Sequence, residues 1–193
     1  MFAGMVRAPS RRESVDVMGE EGQMVMLKKV LVATDFSPGS SAALTYGRAL
    51  ATSFGAALHV LHVTEDLYLL AGTGAEGYVG LSPEVQQDIE RAARQETEAL
   101  LTADDRRLLG AKAVTITSER IAPTIVEYAR AHNIDLIVVG THGRRALTRL
   151  VMGSVAEGVV RTAPCPVLTV RSLEHEFVVA DAPVTTRQER TAG

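Results

Sequence analysis

The residue types best suited to chemistry lie in one stretch of this chain: Gly140-Thr141-His142-Gly143, then nine residues, then Gly153-Ser154. Glycines at 140 and 143 let a backbone turn sharply and come close to a ligand, because neither has a Cβ to clash or to forbid positive φ. Backbone amides are then free to face an anion. Gly153-Ser154 falls where a helix is predicted to begin, so the unpaired N–H groups of its first turn, the positive end of its dipole and the Ser154 hydroxyl converge. That combination suits phosphate. Arg144, Arg145 and Arg149 lie between the glycines and have two readings, neutralising phosphate charge or forming a solvated face. His142 likewise reads either as a donor to phosphate or proton relay, or as an exposed loop side chain.

A second group belongs to the same pocket if the first and fourth strands are neighbours, since ligands of open parallel sheets bind beyond the carboxyl ends of the strands where the winding reverses. Ala33-Thr34-Asp35 ends the first strand. The Asp35 carboxylate is placed either to accept from a ribose hydroxyl or help hold a metal ion, or to cap the strand–helix junction.

The elements that must position these residues are read from hydrophobic period. Short β-branched runs at residues 30–33, 58–63, 113–116, 134–139 and 167–170 alternate with helical patterns, as in repeated strand–helix–strand units. Residues 134–139 are nearly continuously apolar, which marks a central strand covered on both faces. Ala43, Gly47, Leu50, Ala51 and Phe54 give a first helix capped by Ser37 with Pro38 at its first position. Val85, Ile89, Ala92, Ala93 and Leu100 give a second; Ile121, Ile125, Tyr128, Ala129 and His132 a third; Val155, Ala156, Val159, Val160 and Ala163 a fourth. The predicted class is α/β, an open five-stranded parallel sheet with helices on both faces. Residues 1–26 have no periodicity and read as a disordered extension, and 172–193 as a flexible tail. The folded unit is 27–171.

Composition narrows the function classes. The 193 residues, 46% hydrophobic and 22% charged, match one soluble domain. Twenty Lys+Arg against 23 Asp+Glu supply no overall pull toward nucleic acid or an anionic membrane. No apolar run reaches the roughly 20 residues that span a bilayer, and no signal-peptide pattern is present. A lone Cys165 excludes an internal disulfide and a cysteine metal cage, and fits a reducing cytoplasm.

With these residues in view, the chain resembles the universal stress proteins. Gly140, Gly143, Gly153 and Ser154 match that family's nucleotide signature, G-x-x-G, nine residues, then G-S or G-T, without insertion. The opening Lys28-Lys29-Val30-Leu31-Val32-Ala33-Thr34-Asp35-Phe36-Ser37, the Leu61-His62-Val63 run and the closing Pro164-Cys165-Pro166-Val167-Leu168 also look like the family, in order. The resemblance covers about 27–171. It implies an adenine-nucleotide alpha-hydrolase-like fold with strand order 3-2-1-4-5, and ATP with a divalent metal such as Mg2+ in the cleft. It places Ala33 and Asp35 by the base and ribose, the Val63 backbone at the adenine edge, and Val139 and Gly140 beside base and ribose. Gly143, Gly153, Ser154 and Val155 would then meet the phosphates. A homodimer through the fifth strand is implied as well.

Other motifs read less sharply. Gly72-Thr73-Gly74-Ala75-Glu76-Gly77 spells G-x-G-x-x-G but does not sit directly between a strand and the helix it opens, so it reads as a lid or surface loop. There is no G-x-x-x-x-G-K-[ST]. His59 and His62, three apart on one strand, face opposite sides of the sheet and are not a metal pair. Cys165 reads as a small packed residue, not a nucleophile. The leading function is an ATP-dependent stress-response switch or sensor with at most slow hydrolysis or autophosphorylation, because no dedicated base is legible beyond Asp35 or His142. The alternative is a nucleotide-free dimeric module that regulates partner proteins.

Overall fold

A computed structural model describes residues 25–66, 82–141 and 152–171; the two terminal extensions and the Gly72–Gly77 motif lie outside them. The described elements, in chain order, are β1 (Lys29–Thr34), α1 (Pro38–Phe54), β2 (Ala57–Thr64), α2 (Pro83–Ala99), α3 (Ala103–Leu109), β3 (Lys112–Thr117), α4 (Ile121–Ala131), β4 (Leu136–Gly140), α5 (Ser154–Thr162) and β5 (Val167–Val170). The five strands form one parallel sheet in the order β3-β2-β1-β4-β5. The middle position belongs to β1. β4, read from its apolar run as central, is its interior neighbour, because both strands are covered on two faces and composition does not rank them.

Alternation along the strands sorts the core into two layers. Val30, Val32, Leu58, Val60 and Val138 pack with Ala43, Leu44, Tyr46 and Ala51 of α1 and with Leu101 and Leu109 around α3. On the other face Leu31, Leu61, Val63, Ile137 and Val139 pack with Ile125, Tyr128 and Ala129 of α4 and Ala156 and Val159 of α5. Helices on both sides explain why β1, β2 and β4 carry apolar residues at successive positions. The start of α1 follows the sequence expectation: the Ser37 hydroxyl accepts from the Ser40 N–H at 3.2 Å, and Pro38 opens the helix.

The short helix α3 was not anticipated. It is set by a reciprocal cap between Thr102 and Asp105 and by a fork from Arg48, whose Nε and Nη2 donate to the two Asp105 carboxylate oxygens at 2.8 and 2.9 Å. Burial alone would raise the Asp105 pKa, but Arg48 and Thr102 outweigh it and hold the carboxyl below its usual value.

The second helix departs from the reading most. Its buried residues are Gln86, Ala93 and Thr97, whereas Val85 is 41% exposed and Ala92 also faces solvent. The seam under α2 is therefore polar. Thr115 donates to the Thr97 hydroxyl at 3.2 Å, and Thr117 and the Gln86 amide both donate to Glu90 Oε1, at 2.9 and 3.2 Å. Among the described residues two buried side-chain oxygens have no partner, Gln86 Oε1 on α2 and Thr64 Oγ1 at the end of β2. A buried oxygen without a partner keeps the cost of leaving water. Thr64→Val, which keeps the shape and deletes the orphan, is expected to stabilise the protein by about 1 kcal/mol in urea unfolding; an unchanged or lower midpoint would show that the hydroxyl is satisfied.

His59 and His62 do lie on opposite faces. His59, 3% exposed, has Nδ1 2.8 Å from the Tyr128 hydroxyl, and Tyr128 stacks on His132 with ring centroids 3.9 Å apart. Desolvation first, then the charges of Lys112, His132 and Lys29, lower the His59 pKa from 6.5 to about 4. The neutral imidazole is the native form, so its contribution is complete above pH 6.5 and is lost as pH falls through 4. Fully lost, it amounts to about 3 kcal/mol. His59→Gln, which does not titrate, should show a shallower fall in unfolding free energy than the wild type between pH 6.5 and 4; parallel curves would contradict the assignment.

Candidate functional site

The first wall of the site is the corner from β1 into α1. Beyond Thr34 the chain must turn within three residues to reach the Ser37 cap, and it does so with Phe36 at φ +62°, a conformation that costs a non-glycine residue about 1 kcal/mol or more. Local side chains hold it. Thr34 Oγ1 accepts the Phe36 N–H and donates to Ser40 Oγ, each at 3.1 Å, and Asp35 Oδ1 accepts the Ser37 N–H at 3.1 Å. Of the two readings of Asp35, the junction cap is thus present, and it fixes the carboxylate at the carboxyl edge of β1.

The second wall is the end of β4 and the start of α5. Ala33 pairs in register with Val139 on one side and Leu61 on the other, so Val139 and Gly140 continue the edge on which Ala33, Thr34 and Asp35 lie, with Val63 two residues beyond Leu61 on β2. Gly140 has a reason the sequence did not reveal. A Cβ there would lie 2.7 and 2.8 Å from the carbonyl carbon and oxygen of Gly39 and 3.0 Å from the Ser40 nitrogen. The first turn of α1 fills that space.

From Gly140 the backbone is tied on both sides: the Thr141 N–H donates to the Val170 carbonyl and the Gly153 N–H to the Thr141 carbonyl, both at 2.8 Å. The end of β4 and the start of α5 are therefore held together at one point. Gly153 is the N-cap of α5, extended at φ −64° and ψ 145°, and no side chain caps the helix. The acid in its first turn, Glu157, is paired with Arg161 at 2.7 Å. Among the described residues, no side-chain cap hydrogen bond is thus made at the start of this nine-residue helix, where the first-turn N–H groups and the positive end of the dipole lie. Ser154 is exposed and Val155 half-buried at this end.

Nine of the sequence-derived residues accordingly meet along one edge: Ala33, Thr34, Asp35, Val63, Val139, Gly140, Gly153, Ser154 and Val155. His142, Gly143 and Arg144, with Arg145 and Arg149, lie outside the described residues. Motif reading passed over Gly39 and Ser40, which with the Ser37 cap build the corner, and gave His62 no part in the site. The run Ser37-Pro38-Gly39-Ser40 does carry that signal, a cap followed by two residues small enough for close approach.

Comparison with known proteins fits this geometry. The family model described as the universal stress protein family matches residues 26–171. The chain belongs to the universal stress protein family. Universal stress protein MJ0531 of Methanocaldococcus jannaschii is 34% identical over 152 residues, covering 78% of this chain and 86% of the relative. Universal stress protein A homolog 1 of Coxiella burnetii is 33% identical over 150 residues, covering 74% and 95%. Among solved structures, MJ0577 of Methanocaldococcus jannaschii superposes with a TM-score of 0.61 at 26% identity, covering 78% of this chain and 100% of that one. UspA from Lactobacillus plantarum does so with 0.58 at 28% identity, covering 76% and 99%.

Two further features of this universal stress protein bear on its chemistry. Among the described residues no three His, Cys, Asp or Glu side chains gather to hold a metal; a Mg2+ that arrives on a polyphosphate needs only one or two carboxylates besides phosphate and water, and Asp35 suits that smaller demand. Cys165 is half-buried, and its thiol pKa is pushed up by burial and by the Asp135 charge, opposite to what a nucleophile needs. Because backbone atoms surround the missing Cβ at 140, Gly140→Ala is expected to destabilise the protein by about 2 kcal/mol, measurable in urea; a loss below about 0.5 kcal/mol would mean that α1 yields freely.

Proposed function

We propose that this universal stress protein binds ATP, with Mg2+ carried on the nucleotide, along the carboxyl edge shared by β1, β4 and α5, and works as a nucleotide-dependent switch or sensor in the stress response. The observation that carries the reading is the start of α5: an N-terminus without a side-chain cap, pinned by the Gly153 N–H to the carbonyl of Thr141 at the end of β4. Phosphate is the ligand that such N–H groups and dipole favour. In this reading Gly143, Gly153, Ser154 and Val155 hold phosphates, Ala33, Val139, Gly140 and the Val63 backbone hold base and ribose, and Asp35 takes a ribose hydroxyl or the metal. His142 and Arg144 belong to the same loop.

Bound ATP supplies a transferable phosphoryl group, and this chain's described residues supply positioning more than proton transfer, in keeping with slow hydrolysis or autophosphorylation at most. The reading also takes two copies to pair through β5, an edge strand hydrogen-bonded in the described sheet to β4 alone, since an open edge invites another strand. It places the protein in the cytoplasm, and the only observation bearing on membranes is that no described helix is long and apolar enough to cross one.

Gly153→Asp gives a sharp test. Asp is a preferred N-cap and Gly153 already has the extended conformation of one, so the variant should fold while its carboxylate takes the N–H groups that phosphate would use. Millimolar Mg-ATP at 100 times its dissociation constant should stabilise the wild type by about 2.7 kcal/mol, visible as a rise in melting temperature, and leave the variant unmoved. A nucleotide-free wild type that shows no rise would favour the interaction module instead.

A further inference from the structure

The nucleotide reading leaves unexplained what holds Asp35 in place against the strain next to it. Asp35 sits between Thr34 and Phe36, and one side chain from another strand touches both of these neighbours. His62 is the register partner of Thr34, is 9% exposed, and its Nδ1 lies 2.8 Å from the Thr34 carbonyl oxygen. A carbonyl only accepts, so Nδ1 carries the proton and donates. The same imidazole lies against the Phe36 ring, with centroids 4.3 Å apart and an interplanar angle of 31°. It therefore clamps the carbonyl before Asp35 and the side chain after it, and Phe36 is the residue held at φ +62°. Strained backbone at the mouth of a site persists only where its surroundings over-determine it, and here one buried ring from β2 adds to the local hydrogen bonds of Thr34 and Asp35.

We propose that His62 is a positioning residue of the nucleotide site, locking the Thr34–Phe36 corner so that the Asp35 carboxylate is preset at the edge of β1 before ligand arrives. The proposal rests on the reading that this edge binds nucleotide. Presetting matters because a ligand that must itself order a loop gives up affinity to do so. His62 adjoins Val63, whose backbone belongs to the same pocket in that reading, so one imidazole couples the β1 and β2 sides of it.

Two variants attack the two contacts separately. His62→Phe keeps a ring against Phe36 and removes the N–H to Thr34, while Phe36→Gly removes the ring contact and accepts positive φ without strain. Titration calorimetry with Mg-ATP should show binding weakened about tenfold by His62→Phe and threefold or more by Phe36→Gly. His62→Asn, which restores a side-chain N–H donor at a similar distance from the backbone, should recover most of the affinity, and His62→Phe should add nothing in an Asp35→Ala background. Amide exchange without nucleotide should accelerate at Phe36 and Ser37 in His62→Phe and stay unchanged at Val60. Wild-type affinity in both single variants, or full additivity with Asp35→Ala, overturns the positioning role while nucleotide binding stands. Failure of the wild type to bind Mg-ATP overturns both.

Discussion

The backbone of β4 and the first turn of α1 meet at Gly140 and Gly39 with no room for a side chain between them, and the geometry of the carboxyl edge depends on that contact. It sits where the winding of the sheet reverses: from β1 one crossover runs to β2 on the α1 face, and from β4 the next runs to β5 on the α5 face. If the two backbones were held apart by a side chain, α1 would ride higher over β1, and the Thr34 hydroxyl, which accepts the Phe36 N–H, would lose its own acceptor, Ser40 Oγ. That contact brings the end of β4, to which the start of α5 is tied, directly against the turn of α1 that follows the strained corner.

The two halves of the sheet divide the work unevenly. β1, β2 and β4 are closed by apolar layers in which Val30, Leu31, Val32, Leu58, Leu61 and Ile137 are fully buried, and this part resembles a rigid plate. Toward β3 the character changes. α2 lies on Thr115 and Thr117 of β3 through Thr97 and Glu90, and among the described residues the oxygens Gln86 Oε1 and Thr64 Oγ1 are unsatisfied; polar contacts of this kind contribute less than packed methyls and are costlier when incomplete. The stiff half of the sheet carries Asp35, Gly140 and Gly153. The softer half begins one residue past Val63.

That division also explains what sequence reading could and could not see. The five strands, the cap and first residue of α1, and the start of α5 at Ser154 were legible because each is written in local chemistry: β-branched runs, Ser37-Pro38, and a glycine before a helical period. The buried stripe of α2 was not, since period counting follows apolar residues and led to Val85 and Ala92, while the structure buries Gln86 and Thr97 against threonines of β2 and β3. The extra helix α3 was legible in principle from Thr102 and Asp105 spaced as a reciprocal cap. What no local pattern carries is contact between strands. That Gly140 is small for the sake of Gly39, and that His62 reaches Thr34, follow from register, and register is decided by the whole sheet.

The two walls of the site differ in how much of their hydrogen bonding is already made. The β1 wall is complete in itself: Asp35, Thr34, Ser37 and His62 are hydrogen-bonded to one another's backbone or side chains, so a ligand has little there to rearrange. The α5 wall is less complete by the same measure, because among the described residues no side-chain cap is made at its start, where the Gly153 N–H is tied to the Thr141 carbonyl. In the proposed nucleotide reading, an anion would complete it. A conformational signal can arise only where the bound and free states differ in contacts, so under that proposal the preformed corner of β1 would supply selection and the start of α5 would be the place where occupancy is felt.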